Sequence, residues 1–273
     1  MNQIISVLGC GWYGLPLAQS LVAAGHQVKG STTSPDKLSL LQKSGIQPFL
    51  IDLQEGAGTT NPDFFNCDVL VICIPPKRSS GEQSTYPLKI DNIRQAARNR
   101  SSKVIFISST SVYGENNAEI DETVFTAAHT ASGKGMLEAE TLLLQEQSFP
   151  TTVLRFAGLV GPGRNPGRFF AGKSDIPNGQ APVNLIHLTD CIQLTIALIQ
   201  QDVFGHVFNA CSPDHPQKQH FYTKAAAVSE LPLPHFIDEL GDWKVIRSEK
   251  SATVLNYKYV IDNWSDWLDR HMS

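Results

Sequence analysis

Short apolar runs recur along the first half of the chain, each separated from the next by a stretch with helical spacing. Ile4–Leu8, Val28–Gly30, Phe49–Leu53, Val69–Ile74, Val104–Ser108 and Val153–Phe156 have the length of strands. Several are almost unbroken in Val, Ile and Leu, as parallel strands covered on both faces are. Helical patterns fall between them at about 15–24, 35–43, 85–99 and 131–147. Pro16 near the start of the first helix and Gly25 past its end sit where a helix begins and stops. Ser34-Pro35-Asp36 opens the second as N-cap, first-turn proline and first-turn acid. This alternation predicts an α/β fold, a Rossmann-type doubly wound parallel sheet, over residues 1–156.

The texture changes after Phe156. Residues 157–183 are rich in Gly, Pro and Arg with little periodicity, which reads as a long working loop. A helix over 190–200, a strand over 203–209 and a helix over 216–230 follow, and NWSDWLDRHMS at the end reads as a short amphipathic helix seating two tryptophans. Residues 157–273 therefore form a smaller α/β substrate-binding part, with segments at about 184–210 returning to the Rossmann sheet.

Composition narrows the partners. The 273 residues are 41% hydrophobic and 18% charged, with a formal net charge of −4 and no long basic run. That excludes a nucleic-acid or anionic-membrane footprint. No apolar run reaches spanning length, and MNQIISVLGCGWYG lacks the basic start of a signal peptide, so a cytoplasmic protein is expected. The five cysteines (10, 67, 73, 191 and 211) are scattered without paired spacing, which suits reduced, buried thiols. His215 and His220 are poorly spaced for one helical face, and no metal site is expected.

The first strand runs into Gly9-Cys10-Gly11-Trp12-Tyr13-Gly14, a G-x-G-x-x-G that opens a helix. Its first glycine permits a tight turn, its second lets backbone approach a pyrophosphate, and its third allows close helix–strand packing. With a strand before and a helix after, this spacing points to a dinucleotide. An NAD site normally carries an acid at the end of the second strand, gripping the ribose 2′-hydroxyl. Here Ser31, Thr32 and Thr33 stand in that place with Lys37 close behind, so NADP is favoured over NAD. Trp12, Tyr13 and Pro75, the last just past the fourth strand, complete the expected cofactor set.

VIFISSTSVYG, residues 104–114, ends a buried strand in four hydroxyls, Ser108 to Ser111. At the carboxyl end of a strand they would face cofactor and substrate; capping of the next turn is the alternative. This segment resembles the strand-five signature of the extended short-chain dehydrogenases/reductases, the NAD(P)-dependent epimerase/dehydratase group. Further segments agree in order: Asp52 in LIDL resembles the family's adenine-contacting acid, LRFAGLVGPG (154–163) its strand-six segment, NLIHLTD (184–190) its F-x-H-V-x-D, and FNACS (208–212) its Y-N-x-G-S. The resemblance implies that Ser109 is the catalytic serine, with Ser111 and Tyr113 beside the substrate. The family's proton-transfer tyrosine lies four residues before a lysine. In HTASGKGMLEAE (129–140), Lys134 and Glu138 fall into register, but Thr130 holds the tyrosine's place. Sliding the match by two residues puts Ser132 there instead, at the expense of Lys134 and Glu138. Lys134 would hold the ribose, and His129 or Tyr113 would move the proton. Thr130 also reads as a helix N-cap, and His129 as a solvated loop residue.

Arg164, Arg168 and Lys173 in GPGRNPGRFFAGK suit a carboxylate or phosphate, and the resemblance places this region beside the substrate. His187 and Asp190 read as structural. The expectation is an NAD(P)-dependent oxidoreductase, epimerase or dehydratase acting on a hydroxyl- or carbonyl-bearing, anionic small molecule. The alternative is an NAD(P)-binding sensor whose chemistry left with the tyrosine. A β-hydroxyacid-type dehydrogenase is a third, weaker reading, because that family continues in an all-helical domain. By family analogy a homodimer is expected.

Overall fold

The computed structural model describes residues 2–53, 61–76 and 84–271. In chain order the strands are β1 (Ile4–Leu8), β2 (Gln27–Thr32), β3 (Gln47–Leu50), β4 (Cys67–Ile72), β5 (Ser101–Ser109), β6 (Ala118–Ile120), β7 (Thr151–Phe156), β8 (Gly158–Val160), β9 (Leu185–His187), β10 (Val207–Ala210) and β11 (Lys244–Ile246). The helices are α1 (Gly14–Ala23), α2 (Leu38–Lys43), α3 (Pro62–Phe65), α4 (Tyr86–Ala97), α5 (Ala131–Leu144), α6 (Leu188–Gln201), α7 (Lys218–Val228), α8 (Glu249–Val254) and α9 (Trp264–His271). Seven strands form one sheet in the order β10-β7-β5-β4-β1-β2-β3, and the β1–β2, β1–β4, β2–β3 and β4–β5 pairings are all parallel. This is the expected Rossmann-type sheet. Val69 through Ile72 in β4 have no exposed surface, which is why that strand carries no polar alternation.

The chain divides into two compact units. The first comprises Met1–Tyr113, Thr126–Arg155 and Thr195–Phe208; the second comprises Gly114–Phe125, Phe156–Leu194 and Asn209–Ser273.

In the first unit the punctuation works largely as read. Gly25 lies just past the C-cap of α1 at φ +87°, a conformation an L side chain resists. Ser34 is a correction: its side chain makes no capping bond. Instead its own N–H donates to Thr32 Oγ1 at 3.1 Å, and Pro35–Lys37 form a 3-10 turn ahead of α2.

Helices α4 and α5 pack together, and Glu146 after α5 clamps α4. Arg94 Nη1 and Arg98 Nε donate to its Oε2 at 2.6 and 2.7 Å, and the Gln147 and Ser148 N–H groups each donate to Oε1 at 3.1 Å. Burial alone would raise this carboxyl, but Arg98, Ser148 and Arg94 outweigh it and hold its pKa down at about 2, against an ordinary 4.5. A carboxylate depressed on folding stabilises above its unfolded pKa, and that contribution is lost as pH falls through the folded one. Between pH 4.5 and about 2, wild-type stability is therefore expected to fall more steeply than that of Glu146→Gln, read as urea midpoints against pH.

The second unit has its own core. Trp264 and Leu268 of α9 are fully buried with Phe221 and Ala225 of α7 and with Val160, and the Trp264 ring meets Phe221 at 5.8 Å and Trp267 at 5.6 Å. The tail helix seats both tryptophans as its pattern suggested; Met272 and Ser273 lie outside the described residues. The expected irregular loop at 157–183 is more ordered than its composition implied. It contains β8, paired in parallel with β9, and a 3-10 turn at Pro166–Arg168. A Cβ on Gly167 would lie 2.4 Å from Ala225 O, so glycine there sets the turn directly against α7. The three-residue strands β6 and β11, paired in parallel, went unread.

Candidate cofactor and active site

The glycine loop is built from the end of β1. Gly9 has φ +101°, and a Cβ there would meet Ile74 Cγ2 at 2.7 Å. Its N–H donates to Ser31 Oγ at 2.8 Å, and the Cys10 N–H donates to Ser31 O, also at 2.8 Å. Ser31 is 2% exposed. It shapes the loop from beneath, a different task from the 2′-phosphate contact expected of it. A Cβ on Gly14 would fall 2.2 Å from Gly9 O, so the third glycine is required by the protein itself. Gly11 differs: it is exposed, and a Cβ there would meet nothing within 4 Å. Neither strain nor packing explains a glycine at 11. An open cradle for a close-approaching pyrophosphate does, so the residues fit a dinucleotide. Tyr13 corrects another expectation. Its side chain is 7% exposed and its hydroxyl shares a 2.6 Å hydrogen bond with Thr195 Oγ1, so it serves the core.

Beside this loop lies a cleft of about 360 Å³, lined by Gly9, Gly11, Ser31, Thr32, Thr33 and Lys37 together with Asp52, Pro75 and Lys89. Thr33 and Lys37 are exposed, and no carboxylate stands at the end of β2. Trp12, Tyr13 and Gly14 lie outside the lining. Lys89, on the first turn of α4, was missed because nothing in its local sequence distinguishes it from a surface lysine.

The four hydroxyls separate: Ser108 and Ser109 end β5 on its opposite faces, and Thr110 and Ser111 open a 3-10 turn. Ser108 is buried and donates to Glu140 of α5. Arg155 of β7 donates to the same carboxylate, with Nη2 at 2.6 Å from Oε2, and its Nη1 donates to Tyr113 Oη at 2.6 Å. Burial opposes charge on Arg155, but Glu140 beside it more than compensates and keeps the guanidinium above its usual pKa. Tyr113 is 2% exposed, which removes it both as proton carrier and as substrate contact. Thr110 is buried as well. Ser109 and Ser111 stay half-buried, and Ser109 Oγ accepts the Ser111 N–H at 3.2 Å. That bond uses a lone pair and leaves the Ser109 hydroxyl proton to donate.

Helix α5 begins against this turn. A Cβ on Gly133 would lie 2.4 Å from Ser111 O, so the first turn of α5 touches the Ser109–Ser111 segment. Thr130 is its N-cap, accepting the Gly133 N–H at 3.0 Å. Thr130→Ala is expected to cost about 1 kcal/mol of stability, read as a lowered Tm. Met136 and Glu140 are buried and Ser132 is half-buried, all four residues apart on one helical face, whereas Lys134 and Glu138 are exposed. At about 100° per residue Lys134 points some 200° away from Met136. The buried face thus matches the register that puts Ser132 in the tyrosine's place, with Lys134 on the opposite, exposed side of the helix. His129 is exposed beside the cap.

In the second unit, Arg164, Arg168 and Lys173 are all exposed. Lys173 Nζ donates to Phe169 O at 3.0 Å, and Arg168 lies in the 3-10 turn. A separate cavity in this unit, of about 240 Å³, is lined by Phe169, Phe170, Lys218 and Tyr222, and none of the three expected cations is in its wall. Asp190 is structural as read: it accepts the Tyr257 hydroxyl at 2.7 Å and the Val260 and Ile261 N–H groups at 2.7 and 3.2 Å. His187 Nδ1 accepts the Thr189 N–H at 3.2 Å. Cys10, Cys67, Cys191 and Cys211 are buried, Cys73 is half-buried, all five are free thiols, and no metal-ligating cluster occurs among the described residues.

Known proteins share this framework. Protein YeeZ of Escherichia coli strain K12 is 37% identical over 261 residues, covering 93% of this chain and 95% of that one. The chain belongs to the YeeZ family. Among solved structures, a candidate NAD-dependent epimerase/dehydratase from Methylobacillus flagellatus is 27% identical, with TM-score 0.76 and coverage of 97% and 96% of the two chains. UDP-glucuronic acid 4-epimerase from Bacillus cereus, solved with NAD, superimposes with TM-score 0.79 at 20% identity over 97% of this chain and 96% of that one, a likeness of fold. The profile of a family described as NADP oxidoreductase coenzyme F420-dependent matches residues 4–82. This YeeZ-family chain thus shares the Rossmann-type fold of these epimerase/dehydratase structures. No helix among the described residues is long and apolar enough to cross a membrane.

Proposed function

We propose that this YeeZ-family protein is an NADP-preferring oxidoreductase acting on a hydroxyl- or carbonyl-bearing small anion. The observation that carries this reading is the nucleotide cleft: Thr33 and Lys37 line it with Lys89, and the end of β2 carries no acid to repel a 2′-phosphate. A bound nicotinamide supplies hydride exchange. Ser109 donates its hydroxyl to the substrate oxygen, and His129, exposed at the start of α5, carries the proton. A calorimetric titration of nucleotide-free protein tests the cofactor half. NADPH binding at least about tenfold tighter than NADH, or about 1.4 kcal/mol, is expected, and the reverse preference would sink it.

One observation favours a second reading, a nucleotide-binding sensor. Thr130 is committed to its cap and Tyr113 to Arg155, so of the groups expected to move a proton only His129 keeps an uncommitted place among the described residues. A substrate screen read by NADPH fluorescence separates the two. Turnover that falls about 100-fold in His129→Ala supports the enzyme. Tight NADPH binding without turnover on any carbonyl acid supports the sensor.

A further inference from the structure

We infer that the second-unit cavity is a binding site for a compact aromatic carboxylate, a single planar ring bearing one carboxylate group. This deepens the reading above by naming the class of its anionic ligand.

The lining combines aromatic and aliphatic side chains. Phe170 meets Tyr222 edge-on with centroids 4.8 Å apart, Phe169 lies 6.0 Å from Tyr222, and Leu159 and Val160 belong to the same lining. Such rings accept a further ring by offset or edge contact. The volume of about 240 Å³ is below the roughly 300–1,000 Å³ of pockets for drug-sized ligands, so one ring fits and a sugar nucleotide does not.

Two polar groups in the lining have capacity to spare. Lys218 Nζ donates to Pro177 O at 2.9 Å, and its other contacts are the faces of Phe170 and Phe236 at 5.4 and 6.0 Å. An ammonium has three donors, so two remain among the described residues. Burial lowers its pKa, and as the first residue of α7 it stands where the helix dipole disfavours a cation. The protein thus holds a cation in an unfavourable place, which an anion would relieve. The Tyr222 hydroxyl has no hydrogen-bond partner among the described residues, and burial pushes its pKa to about 12, so at neutral pH it remains a donor. Asn184, also in the lining, is already used: its Nδ2 donates to Lys244 O and its Oδ1 accepts the Ile246 N–H, each at 2.8 Å. One ammonium and one phenol match the two oxygens of a carboxylate. A phosphate dianion would bring a second negative charge that one ammonium does not offset.

The test is a fluorine-NMR titration of nucleotide-free protein with 4-fluorobenzoate. Saturable binding with Kd of about 1 mM or tighter is expected. Phenyl phosphate and neutral 4-fluorobenzamide should compete at least about tenfold more weakly, and Lys218→Met should weaken the probe by a similar factor. Tyr222→Phe, which keeps the ring, should weaken it several-fold. Binding should be unchanged in Gly11→Val, which separates this site from the nucleotide site: a failed cofactor titration leaves the result standing. No saturation by about 10 mM, equal binding of the amide, indifference to Lys218→Met, or displacement of the probe by uridine diphosphate at lower concentration each overturns the proposal.

Discussion

Gly11→Val is expected to leave the fold and Tm of the nucleotide-free protein unchanged while weakening NADP(H) binding at least about 100-fold. The valine side chain has somewhere to go, because a Cβ at 11 meets no heavy atom within 4 Å and the backbone is outside the left-handed region. That open place is where backbone must approach the pyrophosphate, so the cost falls on the ligand alone. Gly14→Ala is the matched contrast. Its Cβ would overlap Gly9 O at 2.2 Å, and the clash is with backbone, which cannot swing aside. A loss of about 3 kcal/mol or more of stability is expected, with binding lost as a consequence. Thermal melts and calorimetry on both variants decide the matter. If Gly11→Val binds NADPH normally, no phosphate lies over the loop and the dinucleotide reading fails.

The second large effect concerns the buried pair behind the β5 hydroxyls. Glu140→Ala strands the Arg155 guanidinium, whose side chain is 7% exposed, and also removes the acceptor of Ser108. A loss of about 3–5 kcal/mol is expected, because an uncompensated buried charge costs more than the pair contributes. The double variant Glu140→Leu/Arg155→Met should recover much of that, since it removes both charges together. Full recovery is not expected, as Ser108 loses its bond to Glu140 and Tyr113 its bond from Arg155. Urea denaturation of wild type, single and double variants measures the difference. A double variant as unstable as the single would mean that the network's hydrogen bonds, rather than charge burial, hold α5, β5 and β7 together.

Those two sites show different degrees of legibility. The glycine loop could be read because everything it needs is consecutive: a strand, three glycines at fixed spacing, then a helix. Its spacing assigned the first glycine to the turn, the second to a close-approaching pyrophosphate and the third to packing, and the geometry follows that division: Gly9 takes a positive φ, Gly14 sits against Gly9 O, and Gly11 is left open. Ser31 was placed correctly at the end of β2, but its direction was not, because whether a strand residue turns under the loop or out to solvent depends on what lies beneath. The hydroxyl cluster failed for a related reason. Successive strand residues face opposite ways, so Ser108 and Ser109 cannot both reach one ligand. Which of them turns inward follows from Glu140, a partner 32 residues away.

The sequence by itself determined the alternation of strands and helices, the parallel sheet it builds, the glycine turn at its head and the amphipathic tail helix. Each is written in a local period of two or 3.6 residues, or in fixed spacing. Tertiary structure alone decided the rest. The buried face of α5 was decided by its packing, Tyr13 by Thr195 at a separation of 182 residues, and β6 by β11, whose three residues carry no period of their own. The physical reason is common to all three. A side chain's role is fixed by the partner that replaces its water, and where that partner is distant in sequence, local pattern does not contain it.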